Sequence, residues 1–225
     1  MSKFVQSHFL SQWLIIQIFG SILFAIVTQI IVTFLILLFQ IDSLVLVSIM
    51  RLLACLLSSA IQGYLQWRIL VKTIKTLNYK WIYTAIIGLP INILTWGLIH
   101  LGIKILVLDA DYTSLIILAI VGGVCGGING RIVGNWQKSL FKQRLYWRSL
   151  WHDWDREQLL AGTLSGIVTT VIIISTVFLA GASWISSPIA ALICSIGLAS
   201  ISQVMYGLIV GDTIQDVFRQ AKLIK

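Results

Sequence analysis

The sequence predicts an all-α integral membrane protein with about six transmembrane helices that form three hairpins. Of its 225 residues, 58% are hydrophobic and 11% are charged, whereas an ordinary soluble domain has about 25% charged residues. Several apolar runs reach the length of about 20 residues that a helix needs to cross about 30 Å of hydrocarbon. Lys and Arg are concentrated in alternate connections, which is typical of a multi-pass protein.

The predicted spans alternate with short connections on one side and longer basic connections on the other. Residues 1 to 225 are expected to form a single membrane domain. The first apolar run is too long for a signal peptide and no cleavage site follows it, so it is expected to stay in the mature protein. The predicted spans cover residues 13–39, 44–70, 82–106, 115–133, 160–182 and 189–210, and Pro90 is expected to kink the third.

The distribution of charge predicts the orientation of the chain. The short outer turns hold Asp42, Asp109 and Asp111 and no basic residue, while the other connections and the tail are basic. Cationic loops stay in the cytoplasm, so both termini are predicted there, in a cell inner membrane or a thylakoid membrane. The net charge of +8 then reflects topology. We expect anionic lipid head groups as its counterions and no nucleic acid, because no recognition motif accompanies the basic residues.

A glycine-rich segment, GGVCGGINGRIVG at residues 122–134, lies in the fourth span. Glycines four residues apart make one flat face of a helix, and small residues let membrane helices approach closely. The segment therefore predicts a packing surface; a pore or path lined by glycine backbone is the alternative. We name the glycine stripe by its residues Gly122, Gly126, Gly130 and Gly134, and its expected partners are Gly162 and Gly166 in the fifth span and Gly207 and Gly211 in the sixth.

Polar residues within the spans are few, and no Asp or Glu lies deep in any span. Glutamines and asparagines, including Gln17, Gln62 and Gln66, are expected to bond between helices. Arg51, Asn92 and Asn129 are candidates for a polar path, and Arg51 is expected either to pair with an outer aspartate or to bind an anion. No catalytic motif or metal-ligand cluster is present, so we expect neither an enzyme nor a cofactor.

The connection after the fourth span is rich in tryptophan. Residues 136–157 contain no Gly or Pro, and their aromatic residues recur at helical spacing. Because tryptophan favours the head-group level, this segment predicts an amphipathic helix on the inner membrane surface, with a partner-binding helix as the alternative. Its membrane-interface residues are expected to be Trp136, Trp147, Trp151 and Trp154.

A motif with the pattern G-x-x-Q-W-x-x-L starts at Gly63. With Lys72 and the later Trp81, Ala85 and Gly88, it resembles small multi-spanning membrane proteins of unknown function from cyanobacteria. The resemblance implies an integral membrane protein without known chemistry and transfers no site residues. The motif residues are Gly63, Gln66, Trp67 and Leu70.

These features predict a non-enzymatic membrane subunit or assembly factor that packs through glycine-rich helix faces. Its partners are expected to be membrane lipids and other membrane proteins. The alternative is a small-solute transporter or channel built from three repeated helical hairpins, since GRIVGNWQ at 130–137 is similar to GLIVGDTIQ at 207–215. Similarity by chance between apolar segments would also explain that repeat.

Overall fold

In the computed structural model every described element is helical, which confirms the all-α part of the predicted fold class. The structure describes residues 2–27, 32–40, 44–75, 77–106, 112–142, 154–180 and 188–220. In chain order the helices are α1 (Ser2–Ala25), α2 (Val32–Phe39), α3 (Leu44–Thr73), a 3-10 turn (Tyr79–Trp81), α4 (Ile82–Ile87), α5 (Leu89–Leu106), α6 (Tyr112–Lys142), α7 (Trp154–Ala180) and α8 (Pro188–Gln220).

Three helices in the described part of the chain are long and apolar enough to cross a membrane. Their apolar stretches are His8–Ala25 in α1, Ile116–Phe141 in α6 and Trp154–Ser175 in α7. They correspond to the first, fourth and fifth predicted spans. The second, third and sixth spans stay predictions.

The helices contact one another in a closed ring. Helix α1 packs against α3, α3 against α4, and both α4 and α5 against α6. The ring continues from α6 to α7 and from α7 to α8, and α8 returns to α1. The first helix of the chain is therefore a neighbour of the last described one.

Several helices extend beyond the predicted spans at one end of this ring. Helix α3 ends at Thr73, α6 at Lys142 and α8 at Gln220, although the spans were predicted to end at 70, 133 and 210. We call this the basic end, since Lys72, Lys138 and Arg219 lie there. The sequence predicts this end to be cytoplasmic.

Aromatic rings fill the centre of the basic end. The ring of Phe141 on α6 lies 5.0 Å from that of Trp81, 5.5 Å from that of Trp154 and 6.3 Å from that of Phe218. Phe9 of α1 reaches Phe218 at 5.4 Å. These five residues are the aromatic core. Aromatic pairs of this kind add about 0.5 to 1.5 kcal/mol each beyond their burial, so the core ties the ends of four helices together. The helices extend past the predicted spans because their extra turns are packed in protein.

The third predicted span is interrupted. Helix α4 ends at Ile87, Gly88 has φ −76° and ψ −14°, and α5 begins at Leu89. Pro90 then lies in the first turn of α5, where its missing N–H removes no helical hydrogen bond. The break precedes the proline by two residues. In the first span, predicted as one helix over 13–39, α1 ends at Ala25 and α2 begins at Val32, and residues 28–31 between them lie outside the described residues.

The surface helix predicted over 136–157 differs from the structure at both of its ends. Residues 136–142 continue α6 without a break, and Trp154 begins α7. Residues 143–153, with Trp147 and Trp151, lie outside the described residues. The physical reason for the difference is that both ends of the segment pack into the aromatic core through Phe141 and Trp154.

Candidate functional site

The glycine stripe of α6 packs directly against the backbone of α7. A methyl group added at Gly126 would collide with the carbonyl oxygen of Gly162, and one added at Gly162 would collide with that of Gly126. One turn away, a methyl group at Gly166 would collide with the carbonyl oxygen of Gly122, and one at Gly122 would meet the hydroxyl of Thr170 and, at 2.9 Å, the carbonyl oxygen of Gly166. Side chains therefore do not separate these two helices, which are held together by backbone contacts and dispersion.

The register of this antiparallel pair is maintained over successive turns. Each step of four residues along α6 is matched by a step of four back along α7, from Gly122 opposite Gly166 to Gly130 opposite Gln158. At the next step the indole Nε1 of Trp154 donates to the carbonyl oxygen of Gly134 at 2.9 Å. The stripe thus packs against Gly162 and Gly166 as expected, and its last member accepts a hydrogen bond.

Gly207 and Gly211 pack elsewhere, contrary to expectation. A methyl group at Gly207 would lie 3.0 Å from Cγ of Gln17, and one at Gly211 would lie 2.8 Å from Cδ1 of Trp13. Both residues belong to α1, so the small-residue face of α8 receives the first helix and not α6. The physical reason is the ring order, which places α7 between α6 and α8.

Three glutamines and a tryptophan form a hydrogen-bonded group inside the ring, which we call the glutamine seam. Nε2 of Gln62 donates to Oε1 of Gln17 at 2.8 Å, and Nε2 of Gln66 donates to the same oxygen at 3.3 Å. Nε1 of Trp81 donates to Oε1 of Gln66 at 3.4 Å. The seam joins α1, α3 and the 3-10 turn before α4, and Gln17 is its central acceptor.

A second polar group lies where α6, α7 and α8 meet. The hydroxyl of Tyr206 donates to Oε1 of the buried Gln158 at 2.7 Å. Closer to the basic end, Nζ of Lys138 contacts Oδ2 of Asp155 at 2.6 Å. The side chains of Lys138 and Asp155 are 17% and 40% exposed, so this partly exposed ion pair contributes at most about 1 kcal/mol to stability.

Of the three residues proposed for a polar path, the structure describes the side chain of one, Asn129. The side chains of Arg51 and Asn92 lie outside the described residues. Asn129 is half-buried, and its side-chain amide lies against Gly88, at the break between α4 and α5. Asn129 therefore belongs to the contact of α4 with α6.

The four tryptophans predicted at the membrane interface do not share one environment. Trp136 is 39% exposed on α6, and its place at a membrane interface stays a prediction. Trp154 is fully buried at 0% exposure and belongs to the aromatic core, which corrects its assignment to the interface. Trp147 and Trp151 fall in the part of the connection that is not described.

Sequence reasoning missed Trp13, Trp81, Gln158 and Tyr206 as members of these groups. The spacing of Gln62 and Gln66 was the feature of the sequence that could have indicated the glutamine seam, because residues four apart lie on one face of a helix. Within the described residues, no three His, Cys, Asp or Glu side chains are grouped to hold a metal ion. No family model, curated protein or solved structure matches the chain, so the resemblance carried by Gly63, Gln66, Trp67 and Leu70 stays a prediction.

Proposed function

We propose that this chain is a non-enzymatic, multi-pass membrane subunit or assembly factor. It crosses a cell inner membrane or a thylakoid membrane six times and keeps both termini in the cytoplasm. The observation that carries the proposal is the direct backbone packing of α6 on α7, because such a pair resists opening. A protein that serves as a fixed structural element needs this property.

The filled basic end supports the same function. The aromatic core occupies the centre of the basic end, and hydrogen bonds join Gln62 to Gln17 and Tyr206 to Gln158 across helices. A rigid, filled bundle is suited to holding other proteins in place. Its basic helix ends would contact anionic lipid head groups.

The outer face of α6 supports contact with lipid or with membrane partners. Opposite the glycine stripe, apolar side chains recur every fourth residue, and each is about half exposed. Helix α6 thus has a flat face for α7 and a bulky, branched face for its surroundings. The exposed residues are Ile116, Ile120, Val124, Ile128 and Ile132.

Purification from the native membrane in a mild detergent, followed by mass spectrometry, tests the proposal. A larger complex with fixed stoichiometry is the expected result. Substitutions in the glycine stripe would disturb α7, so the test variants are placed on the outer face, as Ile120→Asn and Ile128→Asn. They should reduce recovery of the partners while the isolated protein keeps its melting temperature. A lone protein that moves a solute in liposomes would contradict the proposal.

A small-solute transporter is the second candidate, and the glutamine seam favours it. The ring of helices encloses the seam, and its amides could bind a polar solute. Solute flux into liposomes separates the two functions. Gln66→Leu should abolish flux if the seam is a transport path, whereas Thr95→Val on α5 serves as a control that removes one intrahelical hydrogen bond.

A further inference from the structure

Two buried N–H groups on α1 point to a small bound molecule. Trp13 and Gln17 are each 1% exposed. Nε1 of Trp13 and Nε2 of Gln17 have no hydrogen-bond partner among the described residues. Since buried donors in proteins are almost always paired with protein or with an ordered molecule, these two groups call for an acceptor.

The two donors lie on the same face of α1. They are four residues apart, and they contact two glycines that are also four residues apart, with Gln17 at Gly207 and Trp13 at Gly211. Side chains spaced in this way have Cβ atoms about 5 to 6 Å apart. One oxygen at about 2.9 Å from each nitrogen bridges two nitrogens up to about 6 Å apart.

The hydrogen bonds of the glutamine seam determine which atom of the Gln17 amide has no partner. Its Oε1 already accepts from Gln62 and from Gln66. The amide nitrogen therefore points away from α3. Exchanging the oxygen and nitrogen of Gln17 would place its NH2 against the two donating amides, so the assignment is the one that the seam allows.

We propose that Trp13 and Gln17 together bind one uncharged oxygen acceptor between α1 and α8. The acceptor is small, because Gln17 and Trp13 themselves contact α8 at Gly207 and Gly211 and leave little room beside them. It is uncharged, because the groups that form the site are amides, an indole and glycine backbone. Water fits this description, and so does the carbonyl oxygen of a small neutral solute.

The site would lie where α1 meets both α3 and α8. Gln17 lies near the middle of the apolar stretch His8–Ala25, its amide bonds to α3 and its Cγ lies against Gly207 of α8. The bound oxygen extends the glutamine seam to the contact that closes the ring. The proposal does not depend on whether the protein is a subunit or a transporter.

Nuclear magnetic resonance of the full chain in detergent micelles, with 15N in the indole groups, tests the proposal. The Trp13 signal is assigned by its loss in Trp13→Phe. Its N–H is expected at a hydrogen-bonded, downfield position. Gln17→Met, which keeps the side-chain volume, should shift this signal more than the signal of Trp67, whose Nε1 is bonded to Leu77. Unchanged Trp67 and Trp154 signals show that the variant is folded.

Two further measurements distinguish the acceptors. A cross-peak from the Trp13 indole N–H to water identifies water as the bound molecule. No such cross-peak, together with a shift of the Trp13 signal on addition of acetamide, identifies a carbonyl oxygen. A chemical shift typical of an unbonded indole N–H at Trp13 overturns the proposal. A hydrogen-bonded shift without the water cross-peak and without the acetamide response also overturns it, because the acceptor would then be a group of the protein.

Discussion

Replacing Gly126 with alanine tests the packing of α6 on α7 with the smallest possible change. The added methyl group would collide with the carbonyl oxygen of Gly162, and backbone atoms cannot turn aside as a flexible side chain can. Gly97, in the interior of α5, is the matched control. A methyl group there would meet nothing within 4 Å.

Both substitutions should gain the same helix-forming free energy, but only Gly126→Ala should also lose free energy through overpacking. Both replace glycine in a helix with alanine, which favours folding by about 1 kcal/mol. At Gly126 the helices must also separate, and overpacking costs about 1 to 3 kcal/mol. Separation weakens backbone contacts at three successive turns, each worth about 0.5 to 1 kcal/mol. The net expectation is a loss of about 2 to 5 kcal/mol for Gly126→Ala and no loss for Gly97→Ala.

Thermal unfolding in one detergent, followed by tryptophan fluorescence, measures the difference. For a chain of this size, 1 kcal/mol corresponds to about 2 to 4 °C, so the melting temperature should fall by about 4 to 20 °C in Gly126→Ala alone. Adding Gly162→Ala should cost less than it does in the wild type, because both changes open the same gap. If Gly126→Ala melts at or above the temperature of Gly97→Ala, the close backbone contact does not exist.

Three other outcomes are expected. Trp154→Phe should destabilise the protein by about 0.5 to 1.5 kcal/mol, because the carbonyl oxygen of Gly134 keeps its hydrogen bond within α6 and loses only the indole donor, and chemical denaturation measures this. A quencher attached to lipid chains should reduce the fluorescence of Trp136 more than that of Trp154, and equal quenching would contradict the buried position of Trp154. Asp155→Asn should change stability by at most about 1 kcal/mol, because its ion pair is partly exposed; a larger loss would show that the pair is shielded from water.

Hydropathy was sufficient to predict the helical class and the approximate position of three spans, because a membrane helix needs a long apolar run. It could not predict what each helix packs against. Lipid tails and protein interiors are both apolar, so Trp136 and Trp154 look alike in the sequence although one is exposed and the other is buried. The longer helices at the basic end follow from the aromatic core, which the sequence pattern does not show.

The glycine spacing likewise predicted that a packing surface exists but not which helix packs on it. Spacing by four residues indicates that a helix has a flat face, and this led correctly from Gly126 to Gly162. It carries no information on which neighbour uses the face, so Gly207 was assigned to the wrong partner. The sequence also indicated that Gln17 and Gln66 would bond between helices but not that they would bond to each other, because residues so far apart in the chain are brought together only by the complete ring.

The contact of α1 with α8 has a consequence for how the protein is made. Helix α1 emerges first from the ribosome, while the helix that covers Trp13 and Gln17 emerges last among the described helices. During synthesis the indole of Trp13 and the NH2 group of Gln17 would stay uncovered until α8 arrives, even after Oε1 of Gln17 has bonded to α3. The α6–α7 pair needs no such wait, because both of its helices are neighbours in the chain. Nascent chains that stop before residue 188 should therefore contain a formed α6–α7 hairpin and a first helix whose polar groups are uncovered. Exposed polar groups of this kind would allow a cell's quality control to recognise unfinished copies.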